Sequence, residues 1–269
     1  MASNTYSGIY KGEILLCVEW NDLAKLLCGK PEEGTSEVDD ILIRLGNTIT
    51  KFTDQILLFN YSEEKDRVNI PFYARSIMEA ACTALVARID PFRILITYKV
   101  QSSSDYDITK RSNAAIQWTG DIIAAGKPKA ILWNPENKIN DYDRALLSNY
   151  NGELFWKPAF LKTIDYVEDE IISSEWLNRF KNMDENEFFE RTKTELSKLY
   201  SCFSKGIHYE FLVNAESIFD VTTLKSFVNR MFQILAEIAM VSHSIGLISG
   251  NMEYSICIKY FTDIEEMIT

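Results

Sequence analysis

NIPFYARSIMEAACTALVARIDPFRILITYKV, residues 69–100, is the longest segment of the chain with helical spacing and apolar residues on more than one face. Pro71 suits a first helical turn, where its missing N–H costs nothing, and Asp90-Pro91 biases the chain out of helical geometry. The stretch therefore reads as one helix ending near Ile89 and a second starting at Pro91. Within the first, Phe72, Arg75, Glu79, Cys82, Val86 and Ile89 share a stripe, while Ile70, Ala74, Ile77, Ala81 and Leu85 form another. A helix apolar on two stripes is expected at the centre of a fold. The small residues Ala74, Ala80, Ala81, Ala84 and Ala87 would let neighbouring helices come close. Arg75 and Glu79, one turn apart on the first stripe, are the exceptions, and an inward orientation is expected for both.

The flanking chain repeats the helical period. Glu13 to Cys28 reads as a helix with Leu16, Trp20, Leu23 and Leu27 on one face, stopped by Gly29 and Pro31. From Val38, the series Val38, Ile41, Leu45, Ile49, Phe52, Ile56 and Phe59 predicts a long bundle helix. Ile108 to Ala125 reads as a helix with Ala115, Ile116, Ile122 and Ile123 inside and Gly120 weakening its middle. Residues 126–143 concentrate Gly, Pro, Asn and Asp around the short apolar run AILW, which predicts an irregular connection or insertion with room for one isolated strand. Helix resumes over 160–180 with a break at Ser173-Ser174. It continues from an Asp184 and Glu187 capping pair along Phe189, Leu196, Leu199 and Phe203, with Gly206 as its end. Asp220 is placed to cap a last long helix carrying Phe227, Met231, Ile234, Ile238, Val241, Ile245 and Ile248. The tail from Tyr254 suits a short strand or a helix. The expectation is a single all-α domain over 1–269, a multi-helix bundle about two thirds helical with at most a small peripheral β element.

Composition excludes several functional classes. A hydrophobic fraction of 46% with 25% charged residues is that of a globular chain able to bury a core. The net charge of -11 opposes generic DNA binding, which needs clustered Lys and Arg. Five scattered cysteines without C-x-x-C spacing suggest neither a disulfide framework nor a zinc site, so a reducing cytoplasm is the expected compartment. The start of the chain does not have the pattern of a secretory signal. Arg230, Glu237 and His243 make the apolar window 227–248 a poor membrane span and a good buried helix. The sequence contains no Walker A loop, no G-x-G-x-x-G, no G-x-S-x-G and no H-E-x-x-H. With only His208 and His243, neither a multi-histidine metal site nor any cofactor is expected.

The candidate catalytic residues are Arg75, Glu79 and His208. Arg75 and Glu79 can pair at i, i+4, and His208 follows a helix with a polar seam of Tyr200 and Ser204, so the three are expected to meet. His243, among Ala236, Ala239 and Met240, reads as a satisfied core histidine. The pattern Arg75-Ser-Ile-Met-Glu79 followed far downstream by Leu196-Ser-Lys-Leu-Tyr-Ser-Cys-Phe-Ser204-Lys-Gly-Ile-His208 resembles the arrangement in bacterial all-helical proteins related to the HEPN superfamily. That resemblance implies an α-helical bundle working in toxin, abortive-infection or antiphage systems. HEPN ribonucleases carry a closely spaced Arg and His on one helix for RNA cleavage in a dimer, and this chain has no such pair. The expected function is thus a helical protein-interaction module, a subunit or regulator in a defence system with a protein partner or a second copy of itself. The other reading is a metal-independent ribonuclease acting on RNA, in which Arg75 and His208 stabilise and protonate the scissile phosphate and Glu79 orients the arginine.

Overall fold

Thirteen-residue spacing on one helix, α4 (Ile70–Ile89), separates the two arginines around which the fold is arranged, Arg75 and Arg88. The structure is a computed structural model that describes residues 19–107, 109, 114–126, 131–168, 173–205, 220–248 and 250–268. The elements before α4 are α1 (Asp22–Cys28), α2 (Glu37–Leu58) and the single turn α3 (Glu64–Arg67). After it come α5 (Pro91–Gln101), a kinked turn at Trp118–Ile122 and a 3-10 turn at Ile139–Asp141. The short α6 (Asn149–Asn151) runs through a wide turn at Gly152–Trp156 into α7 (Lys157–Val167). The chain closes with α8 (Glu175–Lys181), α9 (Glu185–Lys205), α10 (Val221–Ser242) and α11 (Tyr254–Ile268). The fold is 70% helical, and among the described residues the only β feature is an isolated bridge between Thr119 and Ile123.

Local chemistry explains the boundaries. Asn21, Ser36, Ser174 and Asp220 each accept a backbone N–H of the first turn that follows, and such caps contribute about 1 kcal/mol apiece. Asp184 accepts from the N–H groups of Asn186 and Glu187, so the expected capping residue does cap α9. Asp90 turns the chain between α4 and α5 by accepting from Arg93 N–H, with Pro91 entering the first turn. Sequence period overestimates helix in two places. Trp20 and Asn21 lie outside α1, because the Asn21 cap sets the start at Asp22; the expected residues 13–18 are outside the described ones. Residues 114–126 are not a regular helix: Thr119 and Gly120 leave helical geometry, Ala115 is exposed, and only Ile122 of the four expected core positions is fully buried. The run at 131–133 is not a strand, and Ile131 and Trp133 are exposed. The tail from Tyr254 resolves to helix.

The core is one connected cluster of buried apolar side chains. α4 packs against α1, α2, α5, α9 and α10, using its alanines for close approach. α10 is equally central, since every residue from Met231 to Ser242 is buried. That burial is possible because its polar members are paired. Gln233 donates to Glu237 Oε1 at 2.9 Å, and Arg191 of α9 forms an ion pair with Glu237. Among the described residues no helix is long and apolar enough to cross a membrane.

Candidate functional site

α4 turns from interior to surface along its own length. Cys82, Val86 and Arg88 are buried, whereas Phe72 is 51% exposed and the Arg75 and Glu79 side chains retain 26% and 47% of their exposure. The inward orientation expected for Arg75 and Glu79 is therefore corrected: the pair lies in the wall of an open cleft. The cause is the neighbouring geometry. α2 covers one side of α4 and α9 the other, but the two leave a gap lined further by α5 and the 115–118 segment.

Three side chains close a ring in that gap. Arg75 Nε donates to Glu79 Oε1 at 3.1 Å, Arg75 Nη2 donates to the Tyr200 hydroxyl at 2.8 Å, and that hydroxyl donates to Glu79 Oε1 at 2.8 Å. Helical spacing places Arg75 and Glu79 on one face, and Tyr200 arrives from α9, which crosses α4 here. The Arg75 guanidinium also lies 4.8 Å from the Tyr200 ring centre, a cation–π distance. Trp118 stacks on the other part of the same tyrosine, with centroids 3.8 Å apart and planes within 3°.

Trp118 is held there by the kinked turn. Gly120, at φ +108°, permits a reversal in which Ile123 N–H donates to Trp118 O at 2.8 Å and Gly120 N–H to Ile123 O at 2.7 Å. Asp121 fastens the turn, accepting from Gln117 N–H at 2.8 Å and from Arg93 of α5 at 3.1 Å. Leu146 and Leu147 N–H groups donate to the carbonyls of Asp121 and Ile122. A region whose apolar spacing suggested helix is instead an anchored loop, because buried side-chain and backbone partners outside the segment satisfy its polar groups better than a helix with Gly120 at its middle.

The cleft holds about 560 Å3. Ile41, Leu45 and Phe52 of α2 and Ile94 of α5 form its apolar side, while Arg75, Glu79 and Tyr200 line the polar side. Burial draws the Arg75 guanidinium down, but the Glu79 hydrogen bond and the charges of Tyr200 and Glu79 outweigh it and raise its pKa. The Tyr200 phenol is also raised, first by burial and then by Glu79 as acceptor and charge, with Arg75 pulling the other way. Both groups thus stay protonated at neutral pH. The ring converges on a single carboxylate oxygen, so Glu79 Oε2 and Arg75 Nη1 have no hydrogen-bond partner among the described residues.

Of the three expected site residues, Arg75 and Glu79 are brought together. His208 lies outside the described residues. Tyr200 stands in the position expected for a third polar group, and its seam partner Ser204 instead donates to the Tyr200 carbonyl within α9. Trp118 was not foreseen, since the period of its segment pointed elsewhere. His243 is a core histidine satisfied at both ring nitrogens, accepting at Nδ1 from Arg88 and Met252 N–H and donating at Nε2 to Leu26 O. No three His, Cys, Asp or Glu side chains among the described residues gather as metal ligands. The chain matches no protein-family model, no curated protein and no solved structure.

Proposed function

We propose that the chain is a helical protein-interaction module, a non-catalytic subunit or regulator that receives a segment of a protein partner in the Arg75–Tyr200 cleft. The observation that carries this reading is the closed ring of Arg75, Tyr200 and Glu79 beside an apolar wall. Arg75 and Tyr200 both donate within the ring and are held protonated, which leaves a fixed donor and acceptor instead of a group poised to give or take a proton. A donor, an acceptor and an apolar side within one concavity suit the backbone amide and an apolar side chain of a peptide segment. The resemblance to HEPN-like proteins adds the setting, a bacterial antiphage or abortive-infection system in the cytoplasm.

The ribonuclease reading draws on one observation: Glu79 orients Arg75 through Nε in a solvent-open cleft, as an arginine acting on a phosphate requires. One experiment separates the two. A photo-crosslinking amino acid replaces Thr83, which lines the cleft, or Lys162, which lies on the exposed side of α7, and the protein is expressed in its host. A discrete crosslinked protein from position 83 and none from 162 is expected. RNA cleavage by the purified chain, lost in Arg75→Lys at unchanged melting temperature, would overturn the non-catalytic reading.

A further inference from the structure

Away from the cleft, α8, α9 and α10 enclose a second cavity of about 330 Å3, and three arginines reach it, one from each helix: Arg179, Arg191 and Arg230. The remaining wall is Glu195, Gln233 and Ile234. Two of the arginines have carboxylate partners, Arg230 with Glu195 and Arg191 with the fully buried Glu237. Arg179 is exposed and its guanidinium has no hydrogen-bond or ion-pair partner among the described residues, although its charge reaches Glu237. Arg191 Nε is a buried donor with no acceptor.

The charge balance agrees. Three guanidinium groups face two carboxylates, and one of those, Glu237, has its pKa raised to about 7 by burial in spite of Arg191, so it carries less than a full charge at neutral pH. A concave site with surplus positive charge thus sits in a chain whose net charge is -11. A planar carboxylate can engage one guanidinium fork, and Glu195 and Glu237 already do so. A tetrahedral oxyanion offers oxygens in several planes and can meet forks arriving from three helices. The volume corresponds to roughly ten water molecules at about 30 Å3 each, room for a phosphate group with a small substituent and too little for a polymer.

We propose that the α8–α9–α10 cavity binds a phosphate group, either the free ion or a small phosphate monoester, with Arg179 as the arginine that closes on it. Arg179 turns inward from the rim, and Arg191 and Arg230 add their charge while keeping Glu237 and Glu195.

The test uses the full chain. Isothermal titration calorimetry with inorganic phosphate and, separately, with glycerol 3-phosphate is run at constant ionic strength, with sodium chloride as the matched control. Saturable binding tighter than about 1 mM is expected for at least one of the two, with no effect of chloride. The tighter of the two identifies the source, free ion or monoester. Arg179→Gln, at an exposed position that leaves folding intact, weakens that binding at least tenfold and leaves the melting temperature of the unliganded protein unchanged. Absence of saturable binding by both probes, or equal binding by wild type and Arg179→Gln, overturns the proposal.

Discussion

Arg75 and Arg88 sit on the same helix and solve opposite problems. Arg75 lies in an open wall with a carboxylate beside it. Arg88 is 4% exposed and has no carboxylate partner among the described residues: it donates to Leu27 O at 3.1 Å, Ser242 Oγ at 2.7 Å, His243 Nδ1 at 3.1 Å and Asn251 Oδ1 at 3.0 Å. Leu27 is in the last turn of α1, and Ser242 and His243 close α10. Two helix C-termini therefore point their negative ends at one guanidinium, and one helix-end carbonyl, three side-chain acceptors and those partial charges stand in for an acid. Burial lowers the Arg88 pKa to about 10, so it remains charged at neutral pH. The contrast teaches where charge is enclosed by the fold and where it is left facing an open cleft. The buried arginine commits both terminal nitrogens to joining α1, α4 and α10 and leaves only its buried Nε without a partner, whereas the open one presents its guanidinium to a cleft.

The largest effect expected from breaking this contrast is in Arg88→Leu. It strands several buried acceptors at once, each costing on the order of 1–3 kcal/mol, and should lower unfolding free energy in urea by at least about 3 kcal/mol. A loss below about 1 kcal/mol would show that the network is not a structural junction.

Gly29→Ala attacks the same junction from its edge. Gly29 has φ +71°, and an added Cβ would stand 2.5 Å from Gly250 O and 3.6 Å from Arg88 Cζ. The strain and the contact together should cost about 2 kcal/mol, read as a lower urea midpoint at unchanged slope.

The neutral state of His243 gives a pH signature. Burial, then the Arg88 charge, hold its pKa at about 3, below the ordinary 6.5. The unfolded chain accepts a proton that the folded one refuses, so this contribution is full above pH 6.5 and drains as pH falls toward 3. Between pH 7.5 and 5.5 wild type should lose about 1.4 kcal/mol through this group, and His243→Gln should lose that much less. Glu237, raised to about 7 by burial, acts in the opposite sense, losing its contribution as pH rises from 4.5 through 7. It does so equally in both proteins, so the difference between them isolates His243.

Arg75→Ala completes the comparison with the smallest stability change. A partly exposed ion pair is worth about 0.2–1 kcal/mol, so the melting temperature should barely move while the cleft crosslink at position 83 disappears. A large thermal loss in this variant would place Arg75 with Arg88 as a structural arginine.

Much of this was legible in the residues. α2, α4, α5, α9 and α10 follow from apolar period and from Pro71, Pro91, Asp184 and Asp220, because repeat and cap act within a few residues of each other. Arg75 with Glu79 was legible for the same reason, being one turn apart. Arg88 was not, since a basic residue in a last turn is ordinary and nothing local reveals that the ends of α1 and α10 meet there. Trp118 was hidden more deeply: an apolar segment with helical spacing becomes a loop because Arg93, Leu146 and Leu147 satisfy it from elsewhere.

By itself, then, the sequence determined an all-helical chain, its main helix boundaries and one charged pair on its central helix, all consequences of short-range periodicity and capping. Tertiary structure alone decided which face of α4 stays open, that Tyr200 closes the ring with Arg75 and Glu79, and that Arg179, Arg191 and Arg230 converge. Those outcomes depend on helix crossings between residues more than a hundred positions apart at the cleft, as in the Arg75–Tyr200 hydrogen bond, and no local spacing encodes a crossing.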